Sequence, residues 1–289
     1  MFSILIPTWN NLEMLQECID AIKQNSAFEH EIIVHVNEGA DGTKEWVESR
    51  NVASSETLKG VIKYTYSSKN IGICQAMNLA FGKATSDLIV YLNDDMYVLP
   101  DWDKYLIEEV QNTDNQLFML SSTLIEPTPP RLPCMIYADY GRDIATFRKE
   151  ALLAEFNKYE LSDWSGSSWP PFVISREAWL IIGGFSVEFS PGMYSDPDFS
   201  MKMWHAGCRI FKGLSKSRVY HFQSRSTGRV KKNNGRLQFM KKWGLPSSAF
   251  YKHYLKMGEP YEGQLSLPTE GGVFRLEQLK ARIYSLLIK

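Results

Sequence analysis

Two aspartates, Asp94 and Asp95, close the run "SDLIVYLNDD", in which Leu88 to Leu92 reads as an apolar, β-branched strand of the fully buried kind. Burying adjacent carboxylates costs on the order of several kcal/mol each unless something positive meets them. A hard divalent cation would meet them: Mg²⁺ and Mn²⁺ prefer oxygen ligands, keep several waters, and bind one or two carboxylates together with substrate phosphates. The ion then neutralises the acids and a diphosphate at once. A solvated turn is the plainer reading, since "NDDMYVLPD" is also good loop chemistry. Further acids stand in "MYSDPDFSMKMWHAG". There Pro197 suits the first helical position, which makes Asp196 an N-cap and Asp198 a first-turn acid. A capping Asp needs no catalytic role, but a positioned carboxylate is also what general-base catalysis requires. His221, in "VYHFQSRSTG", follows a short strand-like run. A lone His is more often a structural donor than a ligand, although neutral imidazole is a good Mn²⁺ ligand. Arg225 and Arg229, just beyond it, could neutralise phosphate oxygens or simply be solvated.

The elements that must position these groups alternate over the first hundred residues. Phe2 to Ile6 reads as a strand, and Leu12, Leu15, Ile19 and Ile22 follow at helical spacing behind Asn10 and Glu13, a variant of the capping box. Ile32 to Val36 is a second strand, ending in the Gly/Asp turn "NEGADGT", with a helix from Lys44 to Arg50. Val61 to Tyr66 alternates as a third strand, and Ile73, Met77, Leu79 and Ala80 share a helical face before the strand at Leu88. This βαβαβ order predicts an α/β fold with a mainly parallel, doubly wound sheet and helices on both faces. Ligands bind such sheets beyond the carboxyl ends of the strands. "PTWN" (7–10), "NEGADG" (37–42) and "NDD" (93–95) all sit at strand ends, so the topology gathers them at one rim.

The second half is less regular. "EPTPPRLP" (126–133) is a proline-rich loop, Tyr137 to Tyr159 looks helical, and "SDWSGSSWPPFVISREAW" (162–179) is rich in tryptophan and turn residues. Trp164 and Trp169 lie among Gly, Ser and Pro, where exposure is expected, whereas Trp179 in "SREAWLIIGGF" should pack. From Phe199 to Gly258 there is no Asp or Glu against fourteen Lys plus Arg, although the whole chain of 289 residues carries a net charge of only −1. Whole-molecule attraction to nucleic acid or membrane is therefore not indicated. No internal repeat is visible. The four cysteines, Cys18, Cys74, Cys134 and Cys208, never form a C-x-x-C pair, which argues against a zinc site or disulfide framework and for a reducing, cytoplasmic setting. The N-terminus lacks a basic leader, and no window of eighteen apolar residues suggests a membrane span. A dinucleotide fingerprint, a phosphate loop and a nucleophile elbow are all missing.

Four stretches in order, "FSILIPTWNNLEMLQECIDAI", "EIIVHVNEGADGT", "SSKNIGICQAMNLAFGKATSDLIVYLNDDMYVLPDW" and "GGFSVEFSPGMYSDPDFSMKMWHAGCRIF", resemble the successive motifs of family 2 glycosyltransferases, the inverting class with the GT-A fold. The likeness runs from about residue 2 to residue 221, some three quarters of the chain. On this resemblance "NDD" is the family's DxD element. Asp95 then binds the metal, Mn²⁺ or Mg²⁺, that bridges the donor diphosphate, with Asp94 near the ribose or sugar and Asn93 in the first position. Pro7, Thr8 and Asn10 match the first nucleotide-contacting loop, and Asn70 and Gly72 match an "N-x-G" element of the same pocket. The family's base-holding Asp aligns with Val36, so Asn37 or Glu38 would take its place, or the base is held differently. Ser195 replaces the usual Glu of the E-D pair, and Asp196 aligns with the catalytic base, with Asp198 as second candidate or acceptor contact. His221 would complete the metal site, and Trp164 and Trp169 would face the acceptor, since aromatic faces bind sugars through apolar C–H contacts.

The resemblance implies a metal-dependent, inverting transfer of a sugar from a nucleotide-diphosphate donor to a glycan or lipid-linked acceptor, as in polysaccharide biosynthesis. Residues 1–100 form the donor half, 101–221 the acceptor and catalytic half, and 222–289 a basic C-terminal extension. That extension could contact donor phosphates, receive a polyanionic glycan, or dock on an anionic membrane at its inner face. In its last helix Leu276, Leu279, Ile283 and Leu286 recur at helical spacing, a stripe that more often packs than anchors. A nucleotidyltransferase, a metal-dependent phosphohydrolase and a non-catalytic sugar-binding relative are the alternatives.

Overall fold

The computed structural model describes residues 1–51, 62–129, 132–223, 233–269 and 271–287, with side chains in the last segment described as far as Tyr284. Val61, Arg225, Arg229 and the side chain of Leu286 lie outside the described residues.

The expected alternation is present: β1 (Phe2–Trp9), α1 (Leu12–Asn25), β2 (Glu31–Asn37), α2 (Thr43–Asn51), β3 (Ile62–Ser67), α3 (Gly72–Phe81) and β4 (Leu88–Tyr91). These four strands pair in parallel, in the order β3-β2-β1-β4. Phe2 to Thr8 of β1 is continuously buried, as a parallel strand covered by helices on both faces must be. The elements that follow are β5 (Met96–Val98), α4 (Trp102–Gln111), β6 (Phe118–Glu126), β7 (Ile136–Tyr137), α5 (Lys149–Glu155), β8 (Trp164–Ser165), β9 (Phe172–Ser175), α6 (Arg176–Ile182), α7 (Ser195–His205), β10 (Ile210–His221), α8 (Gly235–Trp243) and a C-terminal helix (Gly272–Leu287). They extend the same sheet as β4-β9-β6-β10-β5, with β9 and β5 antiparallel to their neighbours and β10 parallel to β6. The result is a mixed α/β fold whose central sheet is mostly parallel and flanked by helices. One face is packed by Leu15, Ile19 and Ile22 of α1 with Trp102 and Leu106 of α4. The other is packed by Met77 and Ala80 of α3 with Trp179, Phe199 and Phe250. Trp179 does pack, stacked on Phe81 at 4.8 Å.

Three local expectations are corrected. Asn10 does not cap α1: it adopts a left-handed conformation at φ 47°, and its side chain turns to Glu38 and to the Ala40 amide. The helix instead starts beyond Asn11, and Asp41 from the β2–α2 turn accepts from the Leu12 amide at 2.9 Å. A carboxylate twenty-nine residues away in sequence thus satisfies the orphan donor. The continuous helix expected over 137–159 is broken into a strand, short 3₁₀ turns and α5. Gly141 at φ +114° explains the break, because a Cβ there would stand 2.4 Å from the Thr146 carbonyl oxygen, while Asp143 accepts from the Thr146 amide. Finally, α7 begins at Ser195, two residues earlier than Pro197 suggested. Tyr194 is its N-cap, Asp196 lies inside the first turn, and Pro197 is tolerated there because first-turn amides have no partner to lose.

Candidate active site

The carboxyl ends of β1, β2, β4 and β10 and the first turn of α7 surround one cavity of about 550 Å³. β1 ends in Pro7, Thr8 and Trp9 on its wall, and β2 contributes Asn37. Asn70 and Gly72 enter from the start of α3, and Asn93, Asp94 and Asp95 from the turn after β4. The lining is completed by Pro191, Gly192, Met193, Tyr194, Ser195 and Asp196 around the start of α7, and by His221 and Gln223 from the end of β10. The rim is what parallel β1, β2 and β4 predict, because all three strands point their carboxyl ends the same way.

Asp94 and Asp95 are 8 % and 6 % exposed, so the adjacent acids are buried as the sequence suggested. Thr8 Oγ1 donates to Asp94 Oδ2 at 2.7 Å. Asp95 faces His221 because β5 pairs antiparallel with β10: Met96 lies opposite His221, and the Phe222 amide donates to the Asp95 carbonyl at 3.1 Å. This register sets His221 Nε2 3.5 Å from Asp95 Oδ2. The opposite ring nitrogen, Nδ1, stands 2.8 Å from Oε1 of buried Glu126 at the end of β6. A carboxylate only accepts, so Nδ1 carries the proton and Nε2 is turned toward Asp95. Burial lowers the His221 pKa, but the Asp95 and Glu126 carboxylates overcome it and raise it to about 10. Glu126 had no signal in the sequence beyond being the first residue of a proline-rich loop.

Glu38 and Asn37 divide the work at the end of β2. Glu38, itself left-handed at φ 60°, accepts from Trp9 Nε1 at 2.8 Å and Asn10 Nδ2 at 3.1 Å, tying the first two loops together. Asn37 Oδ1 accepts from the Ile71 amide at 3.0 Å and anchors the start of α3. Asn37 lines the cavity, whereas Asn10 and Glu38 stand behind its wall. Gly72, at φ +78°, is pressed against the 191–196 segment: a Cβ would lie 2.6 Å from Pro191 Cα, beside the bond from the Ile73 amide to the Pro191 carbonyl. Gly72→Ala should therefore push that segment away and lower stability by about 1–3 kcal/mol, whereas Gly271→Ala, where a Cβ meets nothing, should change it little. Paired thermal melts would check this.

Asp196 projects from the first turn of α7, and burial raises its carboxyl from an ordinary 3.8 to about 7, with only Ser195 opposing. Asp198, by contrast, is 1 % exposed and absent from the cavity. It accepts from Trp243 Nε1 and pairs with Lys242 Nζ, each at 2.9 Å, which ties α7 to α8. Trp164 and Trp169 are also absent from the wall. The expected exposure fails for Trp164, which is 2 % exposed, donates to Thr123 Oγ1 at 2.9 Å and stacks on Trp169 at 5.2 Å. The aromatic rings that do line the cavity are Trp9, Tyr91 and Tyr194.

No curated protein matches the sequence. Residues 3–133 match the family model Glycosyl transferase family 2. That segment belongs to glycosyl transferase family 2. Solved structures extend the likeness beyond the family 2 segment. S. aureus TarS, residues 1–349, superposes with a TM-score of 0.54 at 16 % identity, over 76 % of this chain and 60 % of that one. The same TarS fragment in complex with UDP-GlcNAc gives 0.53 at 17 % identity, over 77 % and 60 %. GalNAc-T7 with UDP, GalNAc and Mn²⁺ gives 0.58 at 13 % identity, over 88 % and 50 %. The chain thus spans no more than 60 % of these structures' lengths, and what it shares with them is the GT-A fold. The family 2 segment carries Pro7, Thr8, Asn37, Asn70, Gly72 and the Asn93–Asp95 turn. Asp196 and His221 lie outside it, brought to the same cavity by the fold.

The residues present fit a divalent cation. Asp95 and His221 offer one carboxylate oxygen and one imidazole nitrogen side by side, with Glu126 orienting the ring as carboxylates commonly do for metal-bound histidines. Among the described residues no group of three or more His, Cys, Asp or Glu side chains gathers as a cage. A two-ligand set suits Mg²⁺ or Mn²⁺, which leave the remaining positions to phosphate oxygens and water.

Proposed function

We propose that this protein is a metal-dependent, inverting glycosyltransferase that moves a hexosyl or related sugar from a nucleoside-diphosphate donor to a hydroxyl of a glycan or lipid-linked acceptor, in polysaccharide assembly. The observation that carries the reading is what one cavity gathers: a buried Asp94–Asp95 pair beside His221, together with Asp196, a carboxyl tuned to about 7. TarS complexed with UDP and with UDP-GlcNAc, and GalNAc-T7 with UDP and Mn²⁺, support a uridine donor.

In this reading residues 1–100 hold the donor and 101–221 bring the acceptor and base to it. Asn37, Asn70, Pro7 and Thr8 line the nucleotide's place, and Asp94, fixed by Thr8, faces the ribose or sugar. Asp95 and His221 would hold Mn²⁺ or Mg²⁺, which as a Lewis acid stabilises the departing diphosphate. Asp196 accepts the proton of the acceptor hydroxyl. The acceptor's hydroxyl oxygen then attacks the anomeric carbon as the bond to the diphosphate breaks on the opposite face, inverting the centre as in inverting sugar hydrolysis. A base with a pKa near the working pH combines availability with basicity. Tyr194, next to Asp196, and Trp9 offer the aromatic faces for sugar C–H contacts. The four cysteines are buried thiols, which suits a reducing, cytoplasmic setting. No helix of the described residues is long and apolar enough to cross a membrane.

The test is a thermal-shift panel of UDP, GDP, dTDP and CMP, each with and without Mn²⁺. A ligand that binds only the folded state raises its melting point by mass action. One nucleotide, UDP by expectation, should stabilise strongly and only with the ion. No stabilisation by any nucleotide under either condition would replace this reading with a sugar-binding protein. Within the same assay Glu126→Ala should weaken Mn²⁺ binding about 10- to 100-fold by freeing the His221 ring, while Glu126→Gln, which still accepts from Nδ1, should lose far less.

A further inference from the structure

Asn37 and Asn70 line the cavity, and the backbone has already taken the oxygen of each side-chain amide. Asn37 Oδ1 accepts from the Ile71 amide at 3.0 Å, and Asn70 Oδ1 accepts from the next amide, Gly72, at 2.9 Å. A backbone N–H only donates, so each contact fixes which end of the side chain is oxygen. What is left for a ligand is Nδ2, with its two hydrogens, on each residue. The turn into α3 thus gives two neighbouring amides the same polarity, donors toward whatever occupies the cavity.

A buried chain holds Asn37 from behind. Ser67 Oγ lies 2.7 Å from the Lys69 carbonyl and 3.1 Å from Asn37 Oδ1. Both of these oxygens accept, so the Ser67 hydrogen is shared between them, and Ser67 in turn accepts from His35 Nε2 at 3.2 Å. His35 Nδ1 then accepts from Thr65 Oγ1 at 2.8 Å. The register of β2 on β3 sets Thr65 opposite His35 and Ser67 opposite Asn37. His35 is fully buried, and burial lowers its pKa to about 4. The neutral ring carries the one N–H that this order needs. From Thr65 through His35 and Ser67 the donors all run one way and end on the Asn37 oxygen. Asn37, only 4 % exposed, therefore cannot turn its amide over without leaving buried donors unmet.

We propose that Asn37 and Asn70 hold the nucleotide's base by its oxo groups, donating from Nδ2, and that His35 is a positioning residue that fixes this polarity through Ser67. The proposal rests on the reading of the cavity as a nucleoside-diphosphate sugar site and names what selects the base. Pinned donors cannot accept from an exocyclic amine. They suit uracil, which has oxo groups at C2 and C4, over cytosine, which has an amine at C4.

The test is calorimetric titration of the full chain, with Mn²⁺ present, by UDP and by CDP, which share ribose and diphosphate and differ in the base. The parent should bind UDP at least about ten-fold more tightly. Asn37→Asp keeps an oxygen for the Ile71 amide but presents a second one to the cavity, and should weaken UDP at least about ten-fold. Asn37→Leu, which has no charge to repel a diphosphate, should weaken it as well. His35→Leu removes the donor to Ser67 and should weaken UDP about three- to ten-fold, whereas His35→Gln, whose Nε2 can still donate, should bind close to the parent. Melts without ligand show whether each variant is folded. Equal affinity of the parent for UDP and CDP, or parental UDP affinity in either Asn37 variant, would overturn the proposal. Equal loss in both His35 variants would overturn the part given to His35. A parent that binds neither UDP nor CDP but is stabilised by another nucleotide overturns this proposal alone. One that no nucleotide stabilises overturns the donor site beneath it.

Discussion

Asp196→Asn is expected to lower sugar transfer by about 10²–10⁴-fold, the usual share of a general base, while UDP still stabilises the protein in the presence of Mn²⁺. The asymmetry follows from position: Asp196 stands on the first turn of α7, whereas the pair that would hold the ion, Asp95 and His221, comes from the turn after β4 and the end of β10. The parent's pH profile should carry the same signature. A base must be unprotonated to accept a proton, and burial holds Asp196 protonated up to about 7. The rate should therefore fall about ten-fold per unit of pH below 7 and level off above it. Stability should run the other way. Between its ordinary value of 3.8 and about 7 the folded chain keeps a proton that the unfolded chain has lost, so stability declines as pH rises through that window. Asn carries no charge to bury. Asp196→Asn should match the parent near pH 4 and exceed it above pH 7, by at most about 4 kcal/mol. Thermal melts across that range would read this directly. A variant with near-parental transfer, or one whose stability tracks the parent at every pH, would remove Asp196 from the base's place.

The donor half was legible because its chemistry is local. A strand that ends in two acids, a Gly-containing loop after β2 and an Asn-x-Gly before α3 each sit at the end of a periodic element, and parallel pairing alone brings them together. The second half was not, for two physical reasons. Its strands pair in mixed directions and out of order, so β9 is inserted antiparallel between β4 and β6 although β6 precedes it, and no periodicity announces that. Its breaks also depend on single backbone positions, such as Gly141 and left-handed Tyr194, whose demands appear only when the neighbouring chain is in place. Trp164 was misread for a related cause: a tryptophan among serines and glycines looks exposed until β10 pairs beside it and Gly213, lacking a Cβ, leaves the indole its room. Glu126 was invisible because its partner, His221, is ninety-five residues away.

Asp95→Asn is expected to abolish the Mn²⁺-dependent part of UDP binding and, with it, transfer. The physical contrast is between Asp95 and its neighbour. Asp94 is held by Thr8 Oγ1 at 2.7 Å, so Asp94→Asn can keep an amide in that bond and should cost mainly the orientation of the donor. Asp95 has His221 Nε2 3.5 Å away, and it is first among the groups that raise the His221 pKa against burial. Replacing it by Asn removes an anionic ligand and at the same time lowers the His221 pKa. The second effect favours the neutral ring that a cation needs, so it works against the first. Any residual ion binding by the variant should therefore sit on His221 and disappear in Asp95→Asn combined with His221→Ala. The size of the effect follows from mass action: UDP at about 100 times its Kd stabilises the parent by about 2.7 kcal/mol, worth roughly 4–5 °C for a chain of this length. Asp95→Asn should show almost none of that rise, though its melting point without ligand should stay close to the parent's, because His221 keeps its bond to Glu126. A full UDP shift in Asp95→Asn, still dependent on Mn²⁺, would place the ion elsewhere and break the link between the buried acid pair and the donor.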